Sequence, residues 1–247
     1  MNSIFISVRT NSTRLPNKAI LNLCGKPSIQ YLIENLKNSK LASQIVLCTT
    51  TKKEDDVLCD IAEFNGIQFF RGSEHDKLLR WLGACEFYGI DFFVNVDGDD
   101  LFFDFGLADL CLSQSQNVDF IDGKGLYNDV YGIRTESLKT VCEIKNCDDT
   151  EFIRPHFLDP KKNFVVSKVK NVPFKYKKKN IRMTLDYNED FLFFESVIQN
   201  LNSKKTKITF DAILNLLNEK PELIDLNWFR EKEWKDNQTK MINRVVL

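Results

Sequence analysis

With 247 residues and 43% hydrophobic content, the chain can bury a sizeable core, and its length suits one large α/β domain or two small ones. Its 34 basic and 35 acidic residues leave a net charge of −1. That balance argues against a general nucleic-acid or membrane-surface protein, so any anion site must be local.

The elements follow in chain order. Ile4 to Val8 reads as a strand, and Ile29, Leu32, Ile33 and Leu36 trace one face of a helix. QIVLCT (44–49) is a continuous apolar strand. Thr51 with Glu54 three residues on is a capping-box pattern, which predicts a helix from there to about Glu63. IQFF (67–70) is a third strand. Leu78, Leu82 and Cys85 mark a helix ending near Gly89, and FFVNV (92–96) is a fourth strand. This alternation predicts an α/β fold with a mainly parallel, doubly wound sheet. Parallel strands covered on both faces should be apolar throughout, as these are. The second half is less regular. VDFID (118–122), DVYGI (129–133) and NFVVSKV (163–169) read as strands, and residues 188–200 and 210–218 carry helical spacing. Without a repeat or a clean linker, we expect a single domain over 1–247, its first half spanning 1–115 and its second 116–247.

Seven scattered cysteines without a CxxC pair read as reduced thiols. No run of about eighteen apolar residues and no leader pattern is present, so a cytoplasmic protein without a membrane span is expected.

Ligands of open α/β sheets bind beyond the carboxyl ends of the strands. Two polar clusters fall there: RTNSTRLPNK (9–18) after the first strand and DGDD (97–100) after the fourth. The first carries Arg9, Arg14 and Lys18 with no acid. Ser12 and Thr13 add hydroxyls, Pro16 stiffens the turn, and Asn17 suits a position of positive φ. Such a loop fits a triphosphate, although a solvated charged loop explains the residues equally well. DGDD offers oxygen ligands for Mg²⁺.

STRLPNK followed by LCGKPSIQYLIE (23–34) resembles the start of the sugar-activating cytidylyltransferases, nearest to the spore-coat polysaccharide branch. The likeness continues in order through FFRGSEHDKLLR (69–80), VNVDGDD (94–100) and RMTLDYNEDF (182–191). It implies a Rossmann-like fold of the nucleotide-diphospho-sugar transferase type, with a smaller lobe for substrate and dimerisation. The implied activity moves CMP from CTP to a sugar hydroxyl, an acidic 3-deoxy-2-ulosonic sugar above all, for surface polysaccharide. The implied nucleotide contacts are Arg9, Ser12, Thr13, Arg14, Lys18, Arg71, Ser73 and Asp97, with Arg14, Lys18 and Asp99 catalytic. Asp99 and Asp186 match the family's magnesium aspartates. Arg134, Glu151, Arg154, His156 and Arg182 are the implied sugar contacts, and a homodimer the implied assembly.

Plainer readings stand beside these roles. Asp186 and Ser73 are each placed to cap a helix. His156 is a candidate base or a structural histidine, and KYKKKN (175–180) reads as a solvated edge that does not bind nucleic acid. The chain also departs from the family pattern. Asn17 replaces the usual glycine, Asp97 stands where Gln or Thr is usual, and Leu101 and Phe102 occupy the place of a proline. The extra carboxylate of Asp97 could bind a second metal or repel the nucleotide. Three other readings remain: a DxD glycosyltransferase, a catalytically silent relative, and a cytidylyltransferase acting on a phosphonate or another polyol.

Overall fold

The computed structural model describes residues 1–245 except 160, 162, 178 and 179, with side chains to residue 239. Lys178 and Lys179 of the basic run therefore lie outside the described residues. Among those described, seven strands form one sheet in the order β5-β4-β1-β6-β8-β7-β9. These are β1 (Asn2–Ser7), β4 (Gln44–Thr50), β5 (Gln68–Gly72), β6 (Phe92–Asp97), β7 (Phe120–Asp122), β8 (Tyr131–Arg134) and β9 (Val166–Lys168). β1, β4, β5 and β6 run parallel, whereas β8 lies antiparallel to both β6 and β7.

Side chains alternate across β1. Ile4 and Ile6 join one core, and Phe5 joins the other. The first core is built by α1 (Ser28–Leu36), α2 (Asp56–Phe64), α4 (Phe105–Leu112), α7 (Asn188–Ser203) and α8 (Phe210–Glu219). The second is built by α3 (Lys77–Tyr88), α5 (Thr135–Ile144) and α6 (Arg154–Leu158). The sheet is thus doubly wound, and it runs through both halves of the chain.

Three local features position the site. First, the short strands β2 (Asn22–Leu23) and β3 (Lys26–Pro27) form a hairpin whose turn residues, Cys24 and Gly25, both have positive φ. Second, the phenylalanine runs hold the acidic turn. Phe102 meets Phe194 edge to face at 4.6 Å, and the Leu185 amide donates to the Asp99 carbonyl at 2.9 Å. The segment before α7 is thereby pinned beside the end of β6. Third, the tail packs on the core through α9 (Glu222–Asp225) and α10 (Arg230–Val245). Asn227 is buried and donates to the Arg182 carbonyl at 3.1 Å and to Asp190 at 2.9 Å.

The capping box expected at Thr51 does not form. Thr51 is exposed, and a 3₁₀ turn over Lys53–Asp55 precedes α2. Asp55 turns back instead. It accepts from the amide and hydroxyl of Thr10 at 2.8 and 2.7 Å, and from the Thr50 hydroxyl.

Candidate active site

The basic loop leaves β1 at the carboxyl edge of the parallel strands. Its start is anchored by Thr10 on Asp55, and its middle by the buried Leu15 and Ala19. Asn17 adopts the left-handed conformation, φ 57°, that its residue type tolerates. The Ser28 hydroxyl donates to the Lys18 carbonyl and ties the loop's end to α1. Two cations are thus aimed inward while Ser12 is half-buried and Thr13 exposed.

Both cations meet carboxylates from distant segments. Lys18 Nζ donates to Asp99 at 2.6 Å and to Asp186 at 2.8 Å. Arg14 donates to the same Asp186 oxygen at 2.7 Å, and its guanidinium lies 5.6 Å from the Tyr187 ring centre. Burial works against charge in this group. For Lys18 the two carboxylates outweigh it and hold the ammonium above the ordinary lysine value. For Asp186, Lys18 and Arg14 outweigh it and pull the carboxyl down to about 2. Asp99, with one cation and two neighbouring acids, is raised by burial and by Asp186 and Asp97.

Asp186 is not a helix cap. Asp190 takes that task, accepting from the amides of Asp186 and Tyr187 at 2.8 and 2.9 Å. Arg182, expected at the sugar, is engaged inside the core. Its side chain is wholly buried, bonded twice to Asp190 at 2.8 and 3.0 Å and to the second oxygen of Asp186 at 3.4 Å. It orients the acids from behind. Arg134 is also misplaced by the motif. Because β8 is antiparallel to β6, Arg134 pairs with Phe92, five residues from Asp97 and roughly 16 Å along the strand. There it donates to the carbonyls of Val118 and Ser115 at the far edge of the sheet.

The other expected residues gather at the near edge. Arg9 donates to the Glu74 carbonyl at 3.4 Å and lies 3.9 Å from Glu151. Arg71 spans the carbonyls of Thr50 and Lys52, at 3.0 and 2.7 Å, and pairs with Asp56 at 2.6 Å. Ser73 does not cap α3. Asp76 does, accepting from Leu79, while Ser73 accepts from the Asp76 amide. Arg154 pairs with Asp122 at 3.0 Å, and His156 sits half-buried on the same helix.

Motif reasoning missed Lys77. It stands at the first turn of α3, where a cation opposes the helix dipole, and that mismatch was the available signal. It donates to Asp97 at 2.7 Å and, against burial, holds that carboxyl below the usual range. The carboxylate that departed from the family pattern thus has a cation of its own. Asp100 was also missed. It is buried, and burial, then Asp99 and Asp97, push its carboxyl well above the usual range.

Two carboxylates already bracketing one cation suit Mg²⁺, which commonly takes one or two carboxylates plus substrate phosphates. Among the described residues no group of three or more His, Cys, Asp or Glu is arranged to hold a metal. An ion on Asp99 and Asp186 would therefore complete its shell with substrate oxygens. Among the described residues no helix is long and apolar enough to cross a membrane.

The chain is similar to known proteins over most of its length. A family model described as cytidylyltransferase matches residues 4–190. An uncharacterized protein of Methanocaldococcus jannaschii is 28% identical, over 94% of this chain and 96% of that one. The spore coat polysaccharide biosynthesis protein SpsF of Bacillus subtilis is 25% identical, over 90% and 97%. A solved cytidylyltransferase from Leptospira borgpetersenii superposes with a TM-score of 0.80 at 26% identity, over 90% and 96%.

Proposed function

Because the chain belongs to the cytidylyltransferase family, we propose that it transfers CMP from CTP to a sugar hydroxyl and releases pyrophosphate. The observation that carries this reading is the meeting of Arg14 and Lys18 with Asp99 and Asp186 at one strand edge. The acceptor oxygen attacks the α-phosphorus. The bond from that phosphorus to the bridging oxygen breaks, pyrophosphate takes the electron pair, and the hydroxyl proton passes to solvent. Such chemistry asks the protein for positioning and charge neutralisation above all.

Arg14 and Lys18 turn from the carboxylates to the phosphates and stabilise the leaving pyrophosphate, Arg14 by its fork and Lys18 as a point charge. Arg9 extends the same positive surface. Arg182 and Asp190 keep Asp186 in place when its loop partners change. Asp99 and Asp186 would hold Mg²⁺, which when bound neutralises phosphate charge and lowers the pKa of the attacking hydroxyl. Lys77 on Asp97 limits repulsion of the incoming nucleotide. Arg71 and Ser73 border the nucleotide, and Arg154, Glu151 and His156 border the acceptor. The likeness to a spore-coat polysaccharide protein supports a product destined for surface polysaccharide, made in the cytoplasm by a homodimer whose mass sedimentation would report.

The test is pyrophosphate release with each of the four nucleoside triphosphates, Mg²⁺ and a panel of sugars. CTP-dependent release with one sugar, lost in Asp99→Ala, is the expected result. Release with a different triphosphate alone, or release independent of Asp99, would overturn the reading.

A further inference from the structure

A buried carboxylate outside the site joins the two halves of the chain. Asp76 is 3% exposed and caps α3, accepting from the Leu79 amide at 2.9 Å. It also carries two partners from the stretch 145–153, which links α5 to α6 without a helix or strand of its own. The Thr150 hydroxyl donates to it at 2.9 Å, and the Lys145 ammonium pairs with its other oxygen. Thr150 is wholly buried. It accepts from the Leu78 amide at 3.0 Å, and its own amide donates to the His75 carbonyl at 3.3 Å. The Lys145 ammonium also donates to the Cys147 carbonyl at 2.8 Å.

A helix cap needs only one acceptor, and water can serve the rest of the carboxylate. Here the acid and its lysine are buried instead, with side chains 5% and 7% exposed. A buried ion pair adds little stability over apolar packing but is costly to break, so its role is to be sought in the arrangement it fixes. Beside Asp76 in the chain, Lys77 holds Asp97 at 2.7 Å, in the turn that carries Asp99. Beside Thr150, Glu151 lies 3.9 Å from Arg9, and Ile153 enters the second core just before Arg154 and His156 of α6.

We propose that Asp76, Thr150 and Lys145 are positioning residues of the transfer reaction: they latch the segment that borders the acceptor onto the helix whose lysine steadies the acidic turn. This rests on the transfer reading above and adds to it residues that touch neither substrate. Its consequence is selective. α3 stays seated through Leu78 and Trp81 in the second core, so a loosened latch frees the 145–153 stretch and with it Glu151, Arg154 and His156. Arg14, Lys18, Asp99 and Asp186 keep their own anchors.

The experiment measures pyrophosphate release in Thr150→Val and Lys145→Met, which each remove one bond to Asp76 and keep most of the buried volume. Acceptor KM should rise about tenfold in both, with KM for CTP within about twofold of wild type, as expected when one positioning hydrogen bond is lost. Thr150→Ser keeps the hydroxyl and should restore the acceptor KM, which a role in packing alone would not require. Equal rises in both KM values, an unchanged acceptor KM, or no restoration by Thr150→Ser would overturn the latch. If the wild-type chain releases no pyrophosphate with any pair, the transfer reading is what fails, and hydrogen exchange then decides the latch. Thr150→Val should speed exchange about tenfold across residues 145–158 and leave α1 unchanged, whereas equal exchange in both chains would show that no latch exists.

Discussion

The two sides of the cleft differ in how their charges are satisfied. On the side of the basic loop every implicated ion has a partner within the chain: Arg14 and Lys18 on Asp186, Lys18 on Asp99, Arg182 on Asp190. In the turn after β6, by contrast, Asp100 has no cation among the described residues. The paired side is built for exchange, because a triphosphate offers anions to the cations and leaves the carboxylates to another cation. Asp100, with no cation, is the opposite case: burial and the neighbouring Asp99 and Asp97 push its carboxyl well above the usual range. The same turn, DGDD, carries both kinds of carboxylate.

Substitutions on the paired side should have the largest effects. Lys18→Ala removes the cation shared by both acids, and kcat/KM for pyrophosphate release should fall about 10²–10³-fold, the cost of losing one preorganised stabilising group. A smaller loss would mean that Arg14 alone carries the phosphates.

Arg182→Ala breaks a buried network without touching the cleft. It leaves the buried Asp190 without a cation, and urea unfolding should show a loss of about 3–5 kcal/mol. Arg134→Ala is the matched control at the far edge. It removes two bonds to carbonyls, so stability should drop by only about 1–2 kcal/mol, with KM for both substrates unchanged. A rise in acceptor KM in Arg134→Ala would contradict the strand direction reported above.

Acid should expose the anchor under the loop. Although burial opposes it, hydrogen bonds from Thr10 and Thr50 keep the Asp55 carboxyl below its ordinary value. A depressed folded pKa contributes stability that is present above the unfolded value, about 3.9, and is lost as pH falls through the folded value. Unfolding free energy should therefore decline on the acid side of about pH 4, and Asp55→Asn should flatten that decline.

The smallest effect belongs to Asn17. Its left-handed backbone costs an ordinary residue about 1–2 kcal/mol, so Asn17→Ala should destabilise by about that much and Asn17→Gly hardly at all. Melting temperatures of the pair would decide it.

The sequence alone determined the parallel half. Unbroken apolar runs, helix-period spacing and the turn chemistry of Asn17 are local properties, and they placed RTNSTRLPNK and DGDD on one edge. Asp186 was legible only by its likeness to a family motif, since its own neighbourhood suggested a cap. Thr51 and Ser73 show why local signals mislead: each had the pattern of a cap, but tertiary partners assigned the work to other residues, Asp55 binding back to Thr10 and Asp76 capping α3. Arg134 failed for a larger reason. A residue at the end of a strand says nothing of that strand's direction, and β8 runs antiparallel. Lys77 on Asp97, Arg182 behind Asp186 and the lack of a cation at Asp100 were likewise decided by the tertiary structure alone. Each depends on which groups, far apart in the chain, come within hydrogen-bond reach, and burial then sets what a pairing or its absence costs.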